Sequence, residues 1–173
     1  LDCPDDMTVG PCLAQTDVNA AFDAWLDNYT IDGGCNTQVN TSWDGVYPDW
    51  CGDAITITWT VSSACEEDVT CSATFTVTAA PPVNLDCPDD MTVGPCLAQT
   101  DVNAAFDAWL DNYTIDGGCN TEVDNSWDGV YPDWCGDAVT ITWTASSACE
   151  EDVTCSATFT VTAAPPVELD CPD

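Results

Sequence analysis

The segment Ala54-Ile55-Thr56-Ile57-Thr58-Trp59-Thr60-Val61-Ser62 alternates apolar and hydroxyl side chains without a break, and Val69-Thr70-Cys71-Ser72-Ala73-Thr74-Phe75-Thr76-Val77-Thr78 repeats the pattern. Period two in residues rich in β-branching reads as two strands, each with one buried face. The polar link Cys65-Glu66-Glu67-Asp68 makes them a hairpin. Shorter strands are expected at Met7–Val9 and Gln38–Trp43. Asp17–Asn28 has a different period. Val18, Ala21, Phe22, Trp25, Leu26 and Tyr29 fall at helical spacing with Asp23 and Asp27 opposite, so a short amphipathic helix is expected, capped by Thr16 or Asp17. Asp27 near its C-terminus opposes the helix dipole. Trp25 and Trp59 are assigned to the core.

Residues 1–84 recur as 85–168, and Leu-Asp-Cys-Pro-Asp starts a third time at Leu169. The copies differ only at Gln38/Glu122, Asn40/Asp124, Thr41/Asn125, Ile55/Val139, Val61/Ala145 and Asn84/Glu168. The domains expected are therefore 1–84, 85–168 and the start of a third repeat at 169–173. With no Met or export signal at its start, the sequence reads as an excerpt of a longer tandem array. Pro81-Pro82 reads as a stiff connector.

Composition excludes whole classes of function. The chain holds 31 Asp plus Glu and no Lys, Arg or His, a formal charge of −31 at pH 7. Nothing can neutralise a phosphate, so nucleic acid and anionic membrane surfaces are not partners. No apolar run is long enough for membrane insertion. No imidazole or amine is present for acid–base or Schiff-base chemistry, so an enzyme is not expected. Paired carboxylates alone would suggest a glycoside hydrolase, but small near-identical beads leave no cleft-sized domain. At 45 % hydrophobic, with 8 Trp, the chain is not a disordered acidic tail. Thirteen Cys without a CxxC motif point to a disulfide scaffold in an oxidising, extracellular compartment.

Cys3-Pro4-Asp5-Asp6-Met7-Thr8-Val9 and Cys71-Ser72-Ala73-Thr74-Phe75-Thr76-Val77 resemble the two ends of hyalin-type (HYR) repeats. Ala20–Leu26, Gly33-Gly34-Cys35-Asn36, Cys51-Gly52 and Ser62-Ser63-Ala64-Cys65 are similar to the HYR-like repeats of very long surface proteins of Bacteroidota. The resemblance covers the whole chain. It implies an all-β, Ig-like sandwich with a short inserted helix per repeat, in a secreted tandem-repeat filament or adhesin without a catalytic site. Complete absence of Lys, Arg and His is not a feature of that family.

Six cysteines per repeat can close three bridges. If the first strand runs parallel to the last, as an Ig-like sandwich allows, strand direction favours Cys3–Cys71, Cys35–Cys65 and Cys12–Cys51. The second repeat would then pair Cys87–Cys155, Cys119–Cys149 and Cys96–Cys135. A sequence-local set, Cys3–Cys12, Cys35–Cys51 and Cys65–Cys71, remains open. Cys171 belongs to the third copy.

Many of the carboxylates are solubilising charge. Hard cations take several convergent oxygens, and Ca²⁺ is the expected cofactor at the repeat joint. The candidate ligands are Asp44, Asp49 and Asp53 of the first repeat, the linker residue Asn84, and Asp86, Asp89, Asp90, Asp116, Glu150, Glu151 and Asp152 of the second. No EF-hand spacing is present. Trp43, Tyr47 and Trp50, close to Asp44 and Asp49, form a candidate glycan-binding loop or pack structurally. The function expected is a structural segment of an extracellular filament, stalk or adhesin stiffened by Ca²⁺; the alternative is a Ca²⁺-dependent glycan-binding module. Partners are neighbouring repeats, other copies in a fibre, or surface glycans. Asn28, Asn40 and Asn112 lie in glycosylation sequons that matter only in a eukaryotic secretory pathway.

Overall fold

The two alternating segments form the centre of a four-stranded sheet. The computed structural model describes residues 1–170, in two compact units that divide between Pro81 and Pro82. The first holds β1 (Met7–Val9), α1 (Gln15–Leu26), β2 (Gln38–Thr41), β3 (Asp53–Ser62) and β4 (Val69–Val77). Sheet order is β1-β4-β3-β2: β3 pairs antiparallel with β2 and β4, while β1 lies parallel to β4 with Met7 opposite Phe75. Parallel strands need a long crossover; here α1, β2 and β3 intervene between them. Asp6 prolongs the β1 edge, its Oδ1 accepting the Thr74 N–H at 2.8 Å.

Burial follows the alternation. Ile57, Trp59, Val61, Ala73, Phe75 and Val77 are buried on one face. Val18, Phe22, Trp25 and Leu26 of α1 close that face. Ring contacts bind the layers, with Phe22 edge-on to Phe75 at 5.4 Å and Trp25 edge-on to Trp59 at 5.3 Å. The two indole N–H groups are satisfied by backbone, Trp25 donating to Asp5 O and Trp59 to Leu26 O. On the outer face the hydroxyls pair across strands, Thr56 with Thr74 at 2.9 Å and Thr58 with Ser72 at 2.8 Å.

The helix differs from its expected start. It begins at Gln15 after Ala14, with no side-chain cap, so Thr16 and Asp17 lie inside the first turn. Asp17 still favours the positive end of the helix dipole. Gln15 is committed elsewhere, its amide donating to Asn19 Oδ1 and Pro48 O while its Oε1 accepts the Trp50 N–H.

The second unit repeats this plan with β5 (Asn84–Asp86), β6 (Met91–Val93), α2 (Gln99–Leu110), β7 (Thr114–Asp116), β8 (Glu122–Asn125), β9 (Asp137–Ser146) and β10 (Val153–Val161). Its sheet order is β6-β10-β9-β8. It adds an antiparallel β5–β7 ladder, where the first unit has one bridge, Asp2 with Thr30. Both units are thus mostly β, in a layered, sandwich-like arrangement. The boundary at Pro81–Pro82 places Val83 and Asn84 with the second unit, ahead of the expected boundary at Leu85. In the third copy, Cys171, Pro172 and Asp173 lie outside the described residues.

Candidate functional site

Cysteines set the covalent frame. Cys3 is bridged to Cys71 and Cys87 to Cys155, each with Cα atoms 5.9 Å apart and 68 residues of separation. The parallel β1–β4 pairing brings each pair to one end of the sheet. The bridges exclude Cys3–Cys12 and Cys65–Cys71 in the same molecule. Cys12 and Cys51 are also disulfide-bonded, as are Cys119 and Cys149. The Ala148 N–H donates to Cys119 O at 3.0 Å, which holds that chain segment beside Cys149.

The expectation of a third bridge in each unit is not met. The thiols of Cys35 and Cys65, and of Cys96 and Cys135, are free and exposed. Each pair is open in one unit while its counterpart positions are disulfide-bonded in the other, so either state fits the same scaffold. At Cys135 the thiol is pushed above its ordinary range by burial, then by the charge of Asp133 and its hydrogen bond, then by Cys96. Exchange requires a thiolate, and in a chain with no basic side chain none is there to favour one.

Much of the acid is used to build loops. Asp44 Oδ1 accepts the Val46 N–H at 3.0 Å, and Asp49 Oδ1 the Cys51 N–H at 2.7 Å. Asp53 accepts from Ala54 at 2.8 Å and from Asp49 at 3.4 Å. In the second unit Asp90 Oδ1 accepts the Thr158 N–H at 2.7 Å, Asp116 Oδ1 the Gly117 N–H at 2.9 Å and Glu150 Oε2 the Val83 N–H at 2.9 Å. Asn84 stands opposite Asp116, and Asp86 opposite Thr114. Asp89 contributes its backbone oxygen to Trp109. Glu151 and Asp152 are exposed. Among the described residues, no three acidic or cysteine side chains gather as a metal centre.

The aromatic loop folds back on the helix. Trp43 packs against Phe22 at 5.5 Å and donates its indole N–H to Val46 O at 2.9 Å. Tyr47 meets Phe22 at 5.8 Å and Trp43 at 5.2 Å, and its O–H donates to Asp23 Oδ1 at 3.0 Å. That hydrogen bond, with burial and the Asp23 charge behind it, raises the Tyr47 pKa above the ordinary 10.0. Tyr131 is raised in the same way by Asp107. Trp50 is half-buried, and its counterpart Trp134 is 46 % exposed.

Sequence reading missed two features. Gln15, on the helix, anchors the aromatic loop through both ends of its amide; only its place just ahead of the periodic run hints at such a role. The other is a shallow polar recess of about 420 Å³ beside β8, lined by Asp124, Asn125, Thr142, Thr144 and Asp152 among others. Two of the six differences between the copies, Asn40/Asp124 and Thr41/Asn125, fall there.

No helix among the described residues is long and apolar enough to cross a membrane. The disulfides are those of a protein made for an oxidising compartment. No protein-family model matches the sequence, and no curated protein matches it.

Proposed function

We propose that the chain is a load-bearing segment of an extracellular filament, stalk or adhesin built from tandem Ig-like, HYR-like repeats. One observation carries this reading: each unit is bridged from its first residues to its last long strand, Cys3 to Cys71 and Cys87 to Cys155. Tension entering at Leu1 reaches β4 through a covalent bond after three residues. The chain between the two cysteines, a sequence separation of 68, stays out of the load path. At about 3.4 Å per extended residue, that withholds roughly 230 Å of slack per unit. A bead built this way does not lengthen when its fold yields.

Other features support the same role. The chain has no Lys or Arg, so trypsin-like cleavage has no site. Its edge strands are three and four residues long, which limits lateral pairing. Calcium at the joints belongs to this reading on composition: 31 carboxylates without a cation repel, and a divalent ion relieves them. The glycan-binding alternative rests on the exposed Trp134.

The test is to image fibres from the producing cells with an antibody against the repeat and to measure their mass per length. Labelled fibres with the mass per length of a single chain support the proposal. Fibres with the mass of several chains side by side make the sheet faces or edges assembly surfaces and overturn the single-strand reading.

A further inference from the structure

The recess on the outer face of the second unit's sheet lies off the load path. Its volume is about 420 Å³, beside the edge strand β8. Small-ligand sites commonly span about 300–1,000 Å³. Thr142 and Thr144 of β9, both half-buried, line it with Asp124 and Ser126 on the β8 side and Asp152 just ahead of β10. Asp124 stands opposite Thr144 in the ladder.

Much of the hydrogen-bonding capacity here is unspent. Asp124 Oδ1 accepts the Asn125 N–H at 2.8 Å and Asn125 Oδ1 the Trp127 N–H at 3.0 Å, which leaves Asp124 Oδ2 and the Asn125 amide N–H groups. Ser126 Oγ accepts the Thr142 N–H at 3.0 Å and keeps its own proton to donate. Among the described residues, the side chains of Thr144, Ser146 and Asp152 have no hydrogen-bond partner within the protein. Asp124 and Asp152 are two carboxylates without a third, short of a metal centre. No cation anywhere in the chain offsets them. The recess is therefore complementary to a ligand that brings positive charge together with hydroxyls.

The two copies diverge at this place. Three of their six differences, Gln38/Glu122, Asn40/Asp124 and Thr41/Asn125, fall on β2 and β8, strands of four residues each. Two of the three differences that add acid to the second copy are Glu122 and Asp124. Carboxylates that build loops behave otherwise, since Asp44, Asp49 and Asp53 recur unchanged as Asp128, Asp133 and Asp137. We propose that the recess is a binding site for an amino sugar, a ring that presents hydroxyls and a protonated amine. Asp124 and Asp152 hold the ammonium, while ring hydroxyls exchange hydrogen bonds with Ser126, Thr144 and Ser146. Asn40 and Thr41 leave the first unit with Asp68 alone, so only the second copy carries the full set. Every one of these second-unit residues lies between Cys87 and Cys155, and the site stands independently of the filament reading.

The test is an NMR titration of the isotope-labelled, oxidised full chain at mildly acidic pH, with the amine protonated and the carboxylates ionised. The probes are the disaccharide of glucosamine, its N-acetylated counterpart and the short diamine putrescine. Saturable shifts are expected with the glucosamine disaccharide at Asp124, Asn125, Thr144 and Ser146, and not at Asn40, Thr41, Thr60 and Ser62. The acetylated sugar lacks the charge and the diamine lacks the ring, and each should bind about tenfold more weakly. Asp124→Asn installs the residue that the first unit already carries, so the sheet should persist while affinity falls about tenfold. Asn40→Asp with Thr41→Asn should bring the same shifts to Thr60 and Ser62. Equal shifts in both units of the parent chain, equal binding of either comparison probe, or undiminished binding after Asp124→Asn would each overturn the site. So would the absence of any saturable shift, or a first unit that stays silent in the double variant. None of these results bears on mass per length, so the two readings fail separately.

Discussion

At the residue scale the carboxylates do local work that composition hides. Tyr47 and Tyr131 donate to Asp23 and Asp107, and both phenols hold their protons more tightly than in the unfolded chain. A raised phenol pKa stabilises the fold fully below pH 10. The contribution is lost as pH rises through the folded value, because the unfolded chain gives up its protons first. Denaturant melts between pH 8 and 12 should therefore show stability falling above pH 10, and Tyr47→Phe with Tyr131→Phe should flatten that fall. An unchanged profile would remove the tyrosines as its cause. Gln15 belongs to the same scale: Gln15→Ala strips the loop of its amide partners and should cost about 2 kcal/mol in urea unfolding. No periodicity marks such a residue, since its role is set by a loop 33 residues away. Thr16 and Asp17 mislead for a related reason. They are good caps by type, but Gln15's bonds to Pro48 and Trp50 accompany a helix that starts one residue earlier than Thr16. Open thiols at Cys35, Cys65, Cys96 and Cys135 should close on mild oxidation. A non-reduced Asp-N peptide map should then show Cys35 linked to Cys65 and Cys96 to Cys135; scrambled links would contradict the strand-direction pairing.

Elements were legible where burial is periodic. β3 and β4 lie where alternation put them, within a residue at their ends, because one face is buried at Ile57, Trp59, Val61, Ala73, Phe75 and Val77 and a slip by one residue would expose it. Helix α1 was legible in its apolar face and not in its cap. The short strand β7, Thr114–Asp116, carries no pattern of its own; it exists because the linker strand β5 pairs with it. The disulfide-bonded ends follow from β1 running parallel to β4. Trp59 tests how much the two layers depend on one another. It is fully buried, edge-on to Trp25, and hydrogen-bonded to Leu26 O. Trp59→Ala should destabilise the first unit by about 3–5 kcal/mol in chemical denaturation. The same change at Trp143 should act on the second unit alone. If either substitution melted both units together, the two would be one cooperative body.

For the whole molecule, the period was legible and its phase was not. A repeat of 84 residues can be cut anywhere without changing its sequence statistics. Packing decides, and Val83 with Asn84 fold as part of the second unit. The charge of −31 is likewise plain in the sequence, while its use is not, because convergence of carboxylates is a property of three dimensions. Calcium is tested by thermal unfolding of the oxidised chain in Ca²⁺, in Mg²⁺ and in EGTA. An ion held about 100-fold above its Kd adds roughly 2.7 kcal/mol per independent site, so a Ca²⁺-specific rise in Tm is expected. Identical melts would leave the acid as solubilising charge.

The central claim is mechanical, and pulling a single chain from its two ends tests it directly. In the oxidised protein the account predicts that neither unit releases the chain between its bridged cysteines, a separation of 68, whatever the force at which the fold yields. After reduction each unit should lengthen by roughly 230 Å more. Long extension steps in the oxidised chain, equal to those after reduction, would show that the bridges do not carry the load.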